Sequence, residues 1–226
     1  MTAREAHLDH QFDTPLQQRE AELLGMWIFL ATEVLVFGAL FAGYSAYRAW
    51  YPRAFEEASG HLNLLIGAIN TIVLLTSSLT MAMAVRAARL DQQGLLLWGL
   101  IATALLGTAF MVFKGVEYYT DYRDNLVPVL AFNPDEWRRL DVDPRHVQLF
   151  LLFYYILTML HAVHLTIGIG LLAWLARRAS RGRYHPGHYI PVEASGLYWH
   201  FVDMVWIFLL PLLYLTGTHS WNDLHF

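Results

Sequence analysis

The sequence contains no cysteine and few charged residues. Each of these features excludes or disfavours certain kinds of protein and site. Charged residues make up 15% of its 226 positions, whereas soluble domains carry about 25%. The lack of cysteine excludes disulfides, iron–sulfur clusters, thiolate zinc sites and blue-copper sites, but it leaves the redox compartment undetermined. Hydrophobic residues make up 56% of the sequence, and its mean hydropathy is +0.36. Such a composition is typical of a membrane protein.

Two further features are missing from the sequence. There is no run of basic residues and the formal net charge is −4, so we expect no nucleic-acid partner. The start, Met1–Glu22, is polar and acidic, without a basic segment followed by an apolar one, so we expect no cleavable signal peptide. We predict a polar tail in which a helix could begin at Pro15, and a first apolar helix that acts as its own insertion signal.

Five apolar segments follow, each near the length of about 20 residues that a bilayer span needs. We predict spans at about Leu23–Tyr47, Leu62–Val85, Leu95–Val116, Val147–Leu175 and Leu197–Leu215. No continuous soluble domain and no internal repeat remain. The sequence therefore predicts an all-α integral membrane protein, with a five-helix membrane domain at 23–217 and a short C-terminal tail at 218–226.

The distribution of basic residues predicts the orientation of the spans. With the N-terminus inside, eight arginines lie in inner segments and six in outer ones, and four of the inner arginines abut one span at 177–183. We therefore predict the N-terminus inside and the C-terminus outside, with Lys114 at the outer end of its span. The outer loop at 118–146 would form a folded surface cap, with a short helix at Asp135–Leu140.

Charged side chains inside the spans have a structural and a functional interpretation. A charge at the membrane centre costs about 2.5–3.5 kcal/mol on insertion scales, so Glu33 and Asp203 should face protein or water rather than lipid. Glu33 either handles protons or contacts a lipid head group or a partner, or it is hydrogen-bonded at a helix seam. In the last helix, Trp199, Asp203 and Trp206 share one face, and His200 lies one turn from Asp203.

A pair of histidines lies in the fourth span. The spacing of His161 and His164 places both imidazoles on one helix face, where they could ligate a metal or a haem, with His200 as a ligand from the last helix. Two histidines at a polar seam are more often structural. As a hypothesis, we expect Asp203 to accept a hydrogen bond from a neighbouring helix, with His161 and His164 as candidate donors. The nearby Gly168 is explained by close helix packing.

Five strings of the sequence are similar, in the same order, to strings of one known family. They are Met26–Val34, Asn70–Ser78, Gly115–Tyr119, Phe153–His164 and Glu193–Phe208. The family is subunit III of the haem–copper cytochrome c oxidases, and the strings touch all five predicted spans. Its familiar form has seven spans, whereas this sequence resembles five-span versions. We expect that the phospholipid cleft formed by the first two helices of that form is not closed by this chain alone.

The resemblance implies an accessory subunit of a bacterial haem–copper terminal oxidase, multi-pass in the inner membrane, which supports assembly, proton uptake and stability of the catalytic subunit. Oxygen reduction coupled to proton pumping would take place in that subunit. No catalytic centre, haem or metal is expected in this chain; haem and copper are expected in its partner, subunit I, within a larger respiratory complex, and phospholipid is a further ligand. Polar seams would be formed by Glu33, Glu117, His161, His164, Glu193, His200 and Asp203, with Trp199 and Trp206 as a packing signature.

Three alternatives stay open at this point. The chain also resembles a small subunit associated with nitric oxide reductases. It could instead be an independent haem or metal protein that uses His161, His164 and His200, which an absorption spectrum and a metal analysis would reveal. A proton-coupled transporter with Glu33 and Asp203 as carriers is disfavoured, because transporters commonly contain repeated halves.

Overall fold

The structure, a computed structural model, describes residues 14–128, 131–184 and 189–217. In chain order its elements are α1 (Pro15–Trp50), α2 (Pro52–Gly60), α3 (Leu64–Arg89), α4 (Gln93–Arg123), β1 (Leu126–Val127), β2 (Ala131–Phe132), α5 (Pro134–Arg139), α6 (Pro144–Ala179) and α7 (Ile190–Tyr214). Among the described residues, five helices are long and apolar enough to cross a membrane, namely α1, α3, α4, α6 and α7. The predicted all-α membrane protein with five spans is therefore confirmed.

The long helices extend beyond the apolar segments from which they were predicted. The first begins at Pro15, where the hydroxyl of Thr14 accepts a hydrogen bond from the backbone N–H of Gln17 at 3.2 Å. A side-chain cap followed by proline at the first helical position is a common start of a helix. Residues 1–13 and 218–226 lie outside the described residues, so the domain boundaries stay a prediction.

Four helices end beside a residue in the left-handed backbone region. Asp91 follows α3, Asn125 follows α4, Asp141 follows α5 and Gly182 follows α6, with φ between 56° and 65°. Glycine, asparagine and aspartate tolerate this conformation better than other residues do, and it turns the chain away from the helix axis. These four residues therefore allow the chain to turn after the helices that precede them.

The spans keep much apolar surface exposed, as expected for helices that meet lipid or another subunit. Leu35, Trp98 and Leu105 are among the most exposed apolar side chains. Only 11% of the most apolar part of α1 is buried, against 50% of that of α7. The first helix therefore has the largest apolar surface left to cover, while the last helix is the most enclosed.

The segment between α4 and α6 is folded. Leu126 pairs with Phe132, and Val127 with Ala131, in a short antiparallel pair. The side chain of Asn133 caps α5, which confirms the predicted short helix in this segment. The helix α4 continues to Arg123, past the Val116 at which we expected the span to end.

Two compact units are distinguished within the chain, and each of the five long helices contributes one part to each unit. Unit 1 comprises Met1–Val34, Leu74–Thr108 and His164–Asp203. Unit 2 comprises Leu35–Val73, Ala109–Val163 and Met204–Phe226. Each unit contains its own polar clusters.

Candidate functional site

The membrane carboxylate of α1 is paired in unit 1. Oε2 of Glu33 lies 3.0 Å from Nε2 of His164 on α6, and the two side chains are 16% and 12% exposed. Tyr198 of α7 donates a hydrogen bond to the backbone carbonyl of His164 at 2.8 Å, which fixes this turn of α6. A carboxyl–imidazole pair can hold one proton on either partner, so these two residues are a candidate site for proton transfer.

The carboxylate of Asp203 has a different environment from the one expected. It is 3% exposed and close enough to the hydroxyl of Ser78 to interact with it. Neither of its oxygens has a hydrogen-bond partner among the described residues. The hypothesis that His161 or His164 donates to Asp203 is therefore wrong; in unit 1, His164 is engaged with Glu33 instead.

Two serines of α3 hold the polar atoms of α7. The indole N–H of Trp199 donates to Oγ of Ser77 at 3.0 Å. The hydroxyl of Ser78 lies 2.7 Å from Nδ1 of His200. These serines were not among the predicted site residues, and they contact one residue of the packing signature, Trp199, and one predicted seam residue, His200.

The ring of Trp199 fits against two helices that carry glycine. A Cβ at Gly107 of α4 would lie 2.6 Å from Cη2 of the indole, and a Cβ at Gly168 of α6 would lie 3.0 Å from Cζ3. Contacts of this kind leave no room for a methyl group. The predicted packing role of Gly168 has a specific partner, which is this indole.

Glu193, in the first turn of α7, binds two arginines. Its carboxylate lies 2.5 Å from Arg89 of α3 and 3.5 Å from Arg19 of α1. The guanidinium groups of Arg19 and Arg89 also lie over the ring of Tyr189, at 5.5 and 5.8 Å from its centroid, respectively. An acidic residue at the N-terminus of a helix also interacts favourably with the helix dipole.

Unit 2 contains a buried ion pair that involves the only lysine of the sequence, Lys114. Its ammonium group donates to Oε2 of Glu117 at 2.9 Å, to Oη of Tyr154 at 3.1 Å and to Oη of Tyr214 at 2.6 Å. Lys114 and Glu117 are each 2% exposed. The three acceptors match the three protons of an ammonium group.

The same tyrosines continue the network to a second carboxyl. Glu117 Oε1 accepts from Tyr214 at 2.5 Å and lies 3.0 Å from the hydroxyl of Tyr154. That hydroxyl also lies 3.2 Å from Oδ2 of Asp121, which is 3.5 Å from the hydroxyl of Tyr155. We refer to Lys114, Glu117, Asp121, Tyr154, Tyr155 and Tyr214 as the lysine cluster.

Of the lysine cluster, only Glu117 was among the predicted site residues. The signal that could have identified more of it is periodicity, because Lys114, Glu117 and Asp121 recur at intervals of three and four residues on one helix face. The tyrosines belong to α6 and α7. Nothing local in the sequence distinguishes them from tyrosines that anchor a span at the membrane interface.

The remaining predicted residues of unit 2 lie in an aromatic cluster. The indole N–H of Trp206 donates to the hydroxyl of Thr71 at 3.1 Å. The buried ring of His161 contacts Trp206 and Phe110, with centroids 5.3 and 5.5 Å apart. Within residues 14–128, 131–184 and 189–217, no group of three or more histidine, cysteine, aspartate or glutamate side chains could hold a metal ion.

Comparison with known proteins identifies the family. The sequence model described as Cytochrome c oxidase subunit III matches residues 148–218. Cytochrome c oxidase subunit 3 of Synechocystis sp. is 35% identical over 198 residues, which is 87% of this chain and 76% of that protein. The chain belongs to the cytochrome c oxidase subunit III family. The matched region contains all of α7 and all but the first four residues of α6, and with them two of the five strings on which the resemblance rested.

Further relatives of this family extend over nearly the whole chain. Cytochrome c oxidase subunit 3 of Thermostichus vulcanus is 30% identical over 210 residues, which is 92% of each protein. Probable quinol oxidase subunit 3 of Staphylococcus haemolyticus is 28% identical over 215 residues, or 94% of this chain and 97% of that protein. Together with the five apolar helices, this membership confirms a multi-pass membrane protein.

Proposed function

We propose that the chain is an accessory, non-redox subunit III of a bacterial haem–copper terminal oxidase. In this proposal it lies in the inner membrane with its N-terminus inside and binds the catalytic subunit I, which holds the haem and copper. Its role is to support assembly, stability and proton uptake of that subunit. Family membership supports the assignment to an oxidase, and the relatives are named for both cytochrome c and quinol oxidases.

The observation that carries the proton-uptake part of the proposal is the pair of Glu33 and His164. The pair combines two groups that can exchange a proton, at a hydrogen-bond distance of 3.0 Å, within segments that are long and apolar enough to cross the membrane. It is partly accessible, because Glu33 is 16% exposed. The helix α1 that carries Glu33 also has the largest apolar surface to cover, which supports a docking role for this helix.

The proposal includes a bound phospholipid. A cavity of about 400 Å³ in unit 1 is lined by the apolar side chains of Ala82, Val85 and Leu197, by Arg86, and by the ion pair of Arg89 and Glu193. Apolar walls beside the guanidinium group of Arg86 suit the acyl chain and the phosphate of an anionic lipid.

The experiment compares oxidase purified from cells that contain the wild-type chain, a Glu33→Gln chain or no chain. Without the chain, we expect a lower yield of the complex and faster loss of activity during turnover. With Glu33→Gln, we expect a normal yield, because the amide can still bond His164, and proton uptake at least several-fold slower. Glu20→Gln, at an exposed carboxylate of the same helix, is the control and should change neither quantity.

Either of two results would contradict the proposal. An oxidase that is equally abundant, long-lived and fast in proton uptake without the chain would exclude the supporting role. Equal proton uptake with Glu33→Gln would restrict that role to assembly and stability.

A further inference from the structure

One proton of the lysine cluster is shared between more acceptors than it can serve. The hydroxyl of Tyr154 carries a single proton and lies at hydrogen-bond distance from Glu117 Oε1, 3.0 Å, and from Asp121 Oδ2, 3.2 Å. It also accepts a hydrogen bond from Lys114. If both carboxyl groups were ionised, one of these two contacts would place two oxygens together with no proton between them.

The missing proton belongs on a carboxyl group, and the arrangement of charges indicates which one. Glu117 is paired with the ammonium group of Lys114 and accepts the hydroxyl proton of Tyr214, so each of its two oxygens already faces a donor. Asp121 is 6% exposed and has no basic side chain at ion-pair distance among the described residues. An ionised Asp121 would leave the cluster with an uncompensated negative charge in a site of low dielectric.

We propose that Asp121 is a proton-binding site, whose carboxyl group carries a proton at neutral pH, donates it to Oη of Tyr154 and exchanges it with water at the end of α4. With this proton in place, Tyr154 donates to Glu117 and accepts from both Lys114 and Asp121, so each of these three contacts contains one proton. The cluster is then neutral as a whole. Loss of the proton would give it one net negative charge, so the site stores a single proton.

The groups around Asp121 determine whether its carboxyl group keeps the proton and where water can exchange it. Glu117 and Lys114 lie on its own helix and the hydroxyls of Tyr154 and Tyr155 on α6, while Asp124 acts on it from beyond the end of α4. Residues 122–125, directly after Asp121, are exposed. Water can therefore reach within one turn of the carboxyl group. This inference does not depend on the proposed function.

Infrared spectroscopy of the full chain in lipid nanodiscs tests the proposal. The C=O stretch of a protonated carboxyl group is separate from the bands of carboxylates and shifts in heavy water. At neutral pH, we expect Asp121→Asn to remove one such band, and we expect the band of the wild-type chain to disappear at alkaline pH. Tyr154→Phe should keep the band but shift it to higher frequency, because the carboxyl group loses its hydrogen-bond acceptor.

In Glu117→Gln the positive charge of Lys114 has lost its carboxylate partner, so Asp121 should ionise more readily and its band should disappear at a lower pH than in the wild-type chain. The control is Asp124→Asn, at an exposed carboxyl group beyond the end of α4, which should leave the band unchanged. A band that is lost in Glu117→Gln and kept in Asp121→Asn would overturn the proposal, and so would the absence of any difference between Asp121→Asn and the wild-type chain. An asparagine N–H can replace the carboxyl proton, so we expect Asp121→Asn to fold. If Asp121→Asn does not fold, the spectrum of Tyr154→Phe tests the proposal instead. A protonated-carboxyl band at the same frequency as in the wild-type chain would overturn it.

Discussion

Replacing Lys114 by methionine removes the ammonium group that pairs with Glu117 while it keeps most of the apolar stem of the side chain. Glu117 is 2% exposed, and its lost ion pair has an N–O distance of 2.9 Å. Removing one partner of a buried ion pair costs about 3–5 kcal/mol, because the other charge is left uncompensated. We therefore expect the free energy of unfolding of Lys114→Met to fall by about that amount.

The chain contains a matched control for this experiment. Arg138 and Asp135 form an ion pair with the same spacing of three residues and an N–O distance of 3.0 Å, but the side chains are 67% and 71% exposed. Exposed pairs contribute about 0–1 kcal/mol, so Arg138→Met should be nearly neutral. The double variant Lys114→Met/Glu117→Gln should lose less than the sum of the two single variants, because it leaves no buried charge.

The measurement is equilibrium unfolding of the full chain in mixed micelles, followed by tryptophan fluorescence. If Lys114→Met and Arg138→Met differ by less than about 1 kcal/mol, the buried pair does not stabilise the fold in the way we describe. Additive losses in the double variant would likewise contradict direct coupling between Lys114 and Glu117.

Two further predictions concern packing and orientation. Gly107→Ala places a methyl group against the ring of Trp199 and should destabilise the chain by about 1–3 kcal/mol in the same assay. Gly170→Ala is the control and should not destabilise the chain, because no atom lies within 4 Å of the added methyl group. Equal effects of the two substitutions would refute the close approach of Gly107 to Trp199. Because the chain lacks cysteine, single Asp124→Cys and Arg181→Cys variants can be labelled with a membrane-impermeant maleimide in intact cells. We expect labelling only at position 124, and the reverse pattern would invert the proposed orientation.

The spans could be predicted from the sequence because hydropathy alone requires them, but their ends could not. The helix α4 continues past Val116 to Arg123, which brings Glu117 and Asp121 onto the face that carries Lys114. Hydropathy falls in this segment, so it was predicted to be a loop. The polar network compensates for the charged side chains and allows the helix to continue.

The polar partners could be predicted only in part. Glu33, His164 and His200 were identified as seam residues because polar groups in an apolar segment need partners. Which partner each one takes depends on helix rotation and offset, which a single sequence does not encode locally. The hydrogen bond expected for Asp203 was wrong for this reason, and Tyr214 is separated from Lys114 by 100 positions in the sequence.

The central claim is that the chain is a subunit of a haem–copper oxidase, and copurification tests it most directly. The tagged full chain would be purified from its native membrane in mild detergent, and the eluate examined by absorption spectroscopy and mass spectrometry. We predict a stable complex that contains the catalytic subunit and shows the Soret band of its haem. A chain that elutes alone, without haem and without an oxidase subunit, would contradict the account.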